Sequence, residues 1–193
     1  MNYAQKMYKH FRTIQTHRKW VRYYCFKAGL YWQGLTHDLS KYSPTEFFES
    51  VKYYQGKSTP IVACKKDKGY SMAWFHHKGR NKHHYEYWMD NFDNGGENIL
   101  MPEKYAIEML CDFLGAARAY MKDEFSYEAE CIWWEKRKEH CAMNLILQDF
   151  CTKALDELAS ESPTNKKEYE KFYFKKYLKT LYGAVINMHA RGA

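Results

Sequence analysis

The first 28 residues constrain the fold more than any other stretch. Tyr3, Met7, His10, Ile14, His17, Val21, Tyr24 and Ala28 recur at alternating steps of four and three, which puts them on one face of a single long helix. The other face carries Lys6, Lys9, Arg12, Arg18 and Lys19. A helix of this kind must bury its stripe against other helices, and two histidines lie in that stripe. No segment alternates as a half-buried strand would, and no repeat is evident, so the expected class is all-α, a helical bundle.

The remaining elements follow from punctuation. Gly29 and Gly34 bracket a break, after which comes Thr36-His37-Asp38-Leu39-Ser40-Lys41-Tyr42. Ser43 is a good N-cap, Pro44 suits the first helical position and Glu46 completes a capping box, so a helix runs from there to about Gln55. Residues 56–69, with Gly56, Pro60, Gly69 and several lysines, are expected to be loop. A short helix over 70–78 ends at Gly79, and 81–89 form another turn or two. Residues 90–98 are loop by composition. Pro102 opens a helix to about Tyr120 whose inner face is Ala106, Leu110, Phe113, Ala117 and Tyr120. A long helical segment follows over 126–159, and Ser162-Pro163 marks the start of a last helix over 164–188. The 193 residues are expected to form one domain, with a core over about 3–122 and C-terminal helices over about 123–193.

Composition narrows the partners. Lys and Arg number 30 against 23 Asp and Glu, a formal charge of +7, which favours an anionic substrate or partner. Lys166, Lys167, Lys171, Lys175, Lys176 and Lys179 are expected to make a solvated basic face, on which nucleic acid is a possible but not favoured partner. None of the six cysteines forms a Cys-x-x-Cys pair, which fits buried free thiols in a reducing compartment better than a disulfide framework. The N-terminus lacks the apolar core of a secretory signal, and no run approaches 18 apolar residues. The expected location is cytoplasmic, without a membrane partner.

The chemistry concentrates at four places. His17 lies in the buried stripe. His37 and Asp38 are adjacent, and one imidazole nitrogen with one carboxylate can together bind a divalent metal, the carboxylate also being able to bridge to a second ion. His76, His77, His83 and His84 place four of the nine histidines within nine residues, between tryptophans, which is a metal-site composition. Asp112 sits mid-helix among Met, Leu, Cys and Phe, where an unpaired charge is expensive; a metal or Arg118 could supply the partner. Trp74, Tyr85, Tyr87 and Trp88 could wall a pocket or fill the core.

The order His17, His37-Asp38, histidine cluster, Asp112 resembles the HD superfamily of metal-dependent phosphohydrolases. His-Asp-x-x-Lys, with the later His83-His84-x-Glu86, is closer to its two-metal branch, although the Gly-Tyr-Pro of the cyclic-dinucleotide phosphodiesterases is absent. The runs His-Asp-Leu-Ser-Lys-Tyr-Ser-Pro, Ala-Trp-x-His-His and Asn-x-His-His-x-Glu-Tyr-Trp are similar, over about residues 10–120, to a bacterial and phage family of unknown function, DUF5662. The resemblance implies an HD-like bundle in which His17, His37, Asp38 and Asp112 hold one divalent ion. Asp38 would bridge to a second ion on His77 and on His83 or His84; the metal could be Mn, Fe, Mg, Co or Ni. It implies Asp38 and Lys41 as catalytic residues. A metal-activated hydroxide would then attack a nucleotide-like or other small phosphorylated substrate held by Lys41 and, on the loop beyond, Lys78, Arg80 and Lys82. The same ligands would also suit a di-iron oxygenase, or a metal-containing protein that binds nucleic acid or a partner without catalysis.

Overall fold

The computed structural model describes residues 1–90, 98–160 and 166–192. Among these the architecture is all-helical, and the β pairing is a single isolated bridge between Met89 and Asn98. Helix α1 spans Tyr3–Lys27 and starts from a reciprocal cap, in which Asn2 and Gln5 bond each other's backbone N–H. Its stripe is buried from His10 to Ala28, while Tyr3 at the outer end is exposed.

The helix stops where Gly29 takes a left-handed φ of +76°. The Leu30 N–H then reaches back to the Cys25 carbonyl at 2.8 Å, the pattern that commonly closes a helix at glycine. Gly34 is not part of the break. It lies within α2 (Tyr31–Thr36), where a Cβ would stand 3.0 Å from that of Cys25. The missing side chain is what lets α2 lie on α1.

Helix α3 (Pro44–Tyr53) begins at Ser43, whose hydroxyl accepts the Glu46 N–H. The expected loop over 56–69 instead contains α4 (Pro60–Lys68). Pro60 is the first residue of this helix, and Gly69, at φ +81°, is the residue after its end. Both punctuate a helix from outside rather than forbidding one. Lys65, Lys66 and Lys68 in its last turn suit the negative end of the helix dipole. Helix α5 covers Met72–Lys78, and α6 covers Glu103–Met121.

The expected continuous helix over 126–159 is two helices, α7 (Tyr127–Lys138) and α8 (Leu145–Ser160), packed on each other. Side chains make this break without glycine or proline. Asn144 Oδ1 accepts the Ile146 N–H, and Gln148 Nε2 donates to the carbonyls of Cys141 and Met143. The last stretch comprises α9 (Lys166–Phe172), one π-helical turn (Tyr173–Tyr177) and α10 (Leu178–Gly192). Its expected start at Ser162-Pro163, and the loop expected over 90–98 except at its two ends, lie outside the described residues.

Helix α6 is the central strut. Beyond its expected inner face, Ile107, Glu108, Met109, Cys111, Leu114 and Gly115 are buried too, whereas Phe113 and Tyr120 are partly exposed. One apolar cluster joins it to α1, α7, α8 and α10 through Val21, Leu110, Leu114, Trp134, Phe150, Leu178 and Val185. The α1–α6 crossing is tight, because a Cβ on Gly115 would fall 2.4 Å from Val21 Cγ2 and 2.9 Å from the Val21 backbone N. Ala in place of Gly within a helix ordinarily stabilises by about 1 kcal/mol. Here the sign should reverse: overpacking costs roughly 1–3 kcal/mol, and Gly115→Ala is expected to lower the midpoint of a thermal melt.

Candidate metal centre

Four segments converge on Asp38. Helix α2 ends at His37, and Asp38 then takes left-handed dihedrals, φ +57° and ψ +25°, a conformation that Asp tolerates better than most residues. Arg18 fixes this turn from α1. Its Nε donates to the His37 carbonyl at 2.8 Å and its Nη2 to the Leu35 carbonyl at 2.9 Å, satisfying acceptors at the end of a short helix. The turn drives the Asp38 carboxylate inward, to 1% exposure.

The two carboxylate oxygens face different groups. Oδ2 lies 2.9 Å from His17 Nε2, 3.4 Å from His37 Nε2 and 2.7 Å from Lys41 Nζ. Oδ1 lies 3.3 Å from His77 Nε2 and 3.4 Å from His83 Nε2. Asp112 on α6 closes the first group, with Oδ1 at 3.1 Å from His17 and 3.3 Å from His37. Two four-membered sets result, His17-His37-Asp38-Asp112 and Asp38-His77-His83-His84, beside a three-membered set His37-His83-Glu108, each with donor atoms within 4.8 Å of one another. The two larger sets share Asp38, and any of the three could hold a metal ion.

Two buried glutamates orient the rings. Glu108 Oε1 accepts from Nδ1 of both His37, at 2.9 Å, and His83, at 3.2 Å. Glu46 accepts from Nδ1 of His77 at 2.7 Å and of His76 at 2.6 Å. A proton held on Nδ1 leaves Nε2 free to face an ion, the usual arrangement behind a ligating histidine. Glu46 thus turns its carboxylate to the histidines, away from the Ser43 backbone that a capping box would need. Asn81 ties the cluster to the next turn by donating to the Ser40 hydroxyl and the His77 carbonyl.

The donor set fits a cation. His37 Nε2, Asp38 Oδ1, His83 Nε2 and His84 Nε2 are fully enclosed and have no hydrogen-bond partner among the described residues. Burying such an atom unsatisfied costs about 1–3 kcal/mol. Four of them would cost roughly 4–12 kcal/mol, as much as the whole stability of a typical domain. An ion in the His77 set would satisfy Asp38 Oδ1, His83 Nε2 and His84 Nε2, and one in the His17 set would satisfy His37 Nε2. The electrostatics divide the cluster: burial opposes charge on His37 and His77, but Asp38 with Asp112 and Glu108 raises His37 well above the usual imidazole range, and Asp38 with Glu46 raises His77. Burial opposes ionisation of Asp38, yet His37, Lys41 and His77 hold its carboxyl well below the ordinary range. Asp112 is held low likewise, by His17 and His37. Burial and the neighbouring His83 and His77 push His84 well below the usual imidazole range, towards the neutral form that ligates.

All seven side chains expected as ligands are therefore brought together, including both His83 and His84. His76 stands aside on Glu46. Arg118 does not serve Asp112; it packs against Trp20, Tyr24 and Phe125. Lys41 reaches the cluster, but the three loop cations do not. Lys78 lies over the Phe75 ring, Lys82 near the rings of Tyr87 and Tyr105, and Arg80 donates to the His76 carbonyl. Trp74 packs on His77 and His84 as a wall. Three residues join the site beyond those expected: Glu108, Glu46, expected only as a cap, and Arg18, expected only on the outer face. The available signal was charge on an apolar helix face: Glu108 lies one turn before Asp112 on α6.

The fold and site define an all-α protein with a buried histidine–carboxylate centre able to hold metal. The chain belongs to DUF5662, a family of unknown function whose sequence model matches residues 6–160. That match reaches α8, well past the residue 120 to which the sequence motifs extend. Neither a curated protein nor a solved structure matches the chain. Among the described residues, no helix is long and apolar enough to cross a membrane.

Two measurements probe the site. Glu108→Gln should weaken binding of Mn(II) or Co(II) about 10- to 100-fold in a titration, because the neutral amide is a weaker acceptor than the carboxylate and removes the negative charge behind both rings. Glu130 on α7 is buried, and burial, with the Asp112 charge adding, pushes its carboxyl from 4.5 up to about 8. Between those values the unfolded chain releases a proton that the folded chain keeps, so this group lowers stability as pH rises through that window. Glu130→Gln should therefore melt several degrees above the native protein at about pH 8 and level with it below about pH 4.5.

Proposed function

We propose that this protein is a metal-dependent phosphohydrolase of HD type, a phosphomonoesterase or phosphodiesterase acting on a nucleotide-like or other small phosphorylated substrate. One observation carries the reading. Asp38 presents one oxygen to each of two histidine-rich groups, with the Lys41 ammonium 2.7 Å from Oδ2. A carboxylate placed between two donor sets suits a pair of divalent ions, with His17, His37 and Asp112 on one side and His77, His83 and His84 on the other.

Divalent ions at such a centre lower the pKa of water from about 15.7 towards 7 and draw negative charge from phosphoryl oxygens. The chain's own groups do the rest. Glu108 and Glu46 keep the protons on Nδ1 and so fix the direction of each ring. Burial opposes the charge on Lys41, but Asp38 and Asp112 raise its pKa and keep it an ammonium. Its side chain is 30% exposed and that of Asp112 13%, against 1% for Asp38. A substrate phosphate thus meets Lys41 at the open side of the centre, where positive charge stabilises an anionic transition state. The positions of Lys78, Arg80 and Lys82 leave Lys41 as the cation nearest the chemistry.

Protein purified without chelator should contain a transition metal or magnesium. It should release p-nitrophenol from p-nitrophenyl phosphate or its bis ester in a screen with Mn, Mg, Co, Ni and Fe. Asp38→Ala should lose metal and turnover together. Lys41→Ala should keep its metal and lose roughly 10- to 1,000-fold in kcat. If Asp38→Ala keeps both, the assignment fails. Oxygen consumption by iron-loaded protein without phosphate release would move the site to the oxygenase reading.

A further inference from the structure

The long N-terminal helix has a second charged face. Lys19, Arg22 and Phe26, at about 100° per residue, lie roughly 140–200° round α1 from His17. This face therefore looks away from the histidine cluster. Lys171 and Lys175, one turn apart, stand across from it. Between the two sides lies an open-sided cavity of about 640 Å³, with Tyr31 also on its lining. That volume is within the range of ligand pockets, roughly 300–1,000 Å³.

The walls of this groove are held together from beneath. The buried Glu170 carboxylate accepts from Lys27 Nζ at 2.5 Å, Tyr23 Oη at 3.0 Å and Tyr127 Oη at 2.7 Å. Tyr173 and Phe174, buried in the core, carry the same stretch of chain onto the bundle. Lys27 is thereby neutralised. Among the described residues no Asp or Glu lines the cavity, and Lys19, Arg22, Lys171 and Lys175 are exposed and make no ion pair. Like charges facing each other across a groove repel unless an anion lies between them. The groove also shows rings to solvent: of its lining residues Tyr31 is 62% exposed, Phe26 39% and Tyr23 37%. Cations on both walls, with accessible aromatic faces between and beside them, match a chain of phosphates carrying planar bases. An acidic peptide would satisfy the cations and leave the rings without stacking partners.

We propose that this groove binds single-stranded nucleic acid, its backbone phosphates lying between Lys19-Arg22 and Lys171-Lys175 and a base stacking on Tyr31. The site is separate from the metal centre and does not depend on the reading given to that centre.

The test is fluorescence anisotropy of a labelled twelve-nucleotide oligothymidylate with the full chain. Saturable binding is expected at about 50 mM salt. Its logarithm should fall with log salt at a slope near −3, since each of four phosphate contacts contributes about −0.7. Arg22→Glu with Lys171→Glu and Lys175→Glu should weaken binding at least tenfold, and the glutamine versions of the same three should weaken it less. Tyr31→Ala should weaken it about fivefold or more. Circular dichroism and metal content should stay as in the native protein, which separates loss of the groove from loss of the fold or of the metal centre. The proposal is overturned by oligonucleotide binding that the triple variants leave unchanged. It is equally overturned by absent binding at low salt, or by polyglutamate or phosphatidylserine vesicles binding in preference to the oligonucleotide.

Discussion

The close crossing of α1 and α6 is the constraint on which the rest depends. Val21 seats on Gly115, and this contact brings the two backbones closer than any side chain at 115 would allow. His17 lies one turn before Val21, and Asp112 three residues before Gly115. The same crossing therefore sets His17 Nε2 at 3.1 Å from Asp112. Packing and chemistry are adjacent turns of one interface, and the strut that fills the core also delivers Glu108 to His37 and His83. A shift in this crossing would move a ligand, its partner carboxylate and the residue orienting two further rings.

The second constraint is electrostatic. Asp38, Asp112, Glu108 and Glu46 are gathered in a region that water barely enters, and each is opposed by histidine or lysine. Without the imidazoles the carboxylates could not share that space ionised; without the carboxylates the rings could not all aim inward. Asp38 holds the two halves together and adopts left-handed dihedrals, which cost an ordinary residue roughly 1–2 kcal/mol. Arg18 shares that burden by bonding the carbonyls of Leu35 and His37. Strain at a buried carboxylate, upheld by a long side chain from another helix, is what a functional turn looks like energetically.

How much of this was legible depended on whether a residue's role follows from its own neighbours in sequence. His17 was readable because the 3–4 spacing of α1 fixes its face. His37-Asp38 and the 76–84 histidines were readable because such donors are rarely concentrated by chance, and the all-α class followed from the absence of alternation. Choosing between His83 and His84 was not possible, and both join the cluster. Glu46 was misjudged for a physical reason: the same residue can complete a cap or reach across to another helix, and only the tertiary position of α5 decides. Helix α4 is hard to see in sequence because Pro60 and Gly69, residue types that break a helix, here bound one. The α7–α8 break was missed because Asn144 and Gln148 make it with side-chain hydrogen bonds, a device with no strong sequence signature. Arg18 looked like one more cation on a polar face, and its carbonyl partners exist only once α2 folds back.

The two faces of α1 carry different chemistry, and the fold keeps them apart. The inward face meets a centre whose shared carboxylate is almost completely enclosed, with the partly exposed Lys41 on its more open side. The outward face meets an open groove with cations on both walls. A polymer lying in that groove is on the far side of the helix from Asp38 and cannot present the same phosphate to both. The basic charge of the chain therefore sits in two separable environments. Lys41 is held beside carboxylates, where its charge is worth most because solvent is scarce. Lys19, Arg22, Lys171 and Lys175 are left in water, where single contacts are weak and only several acting together on a repeating anion give appreciable affinity.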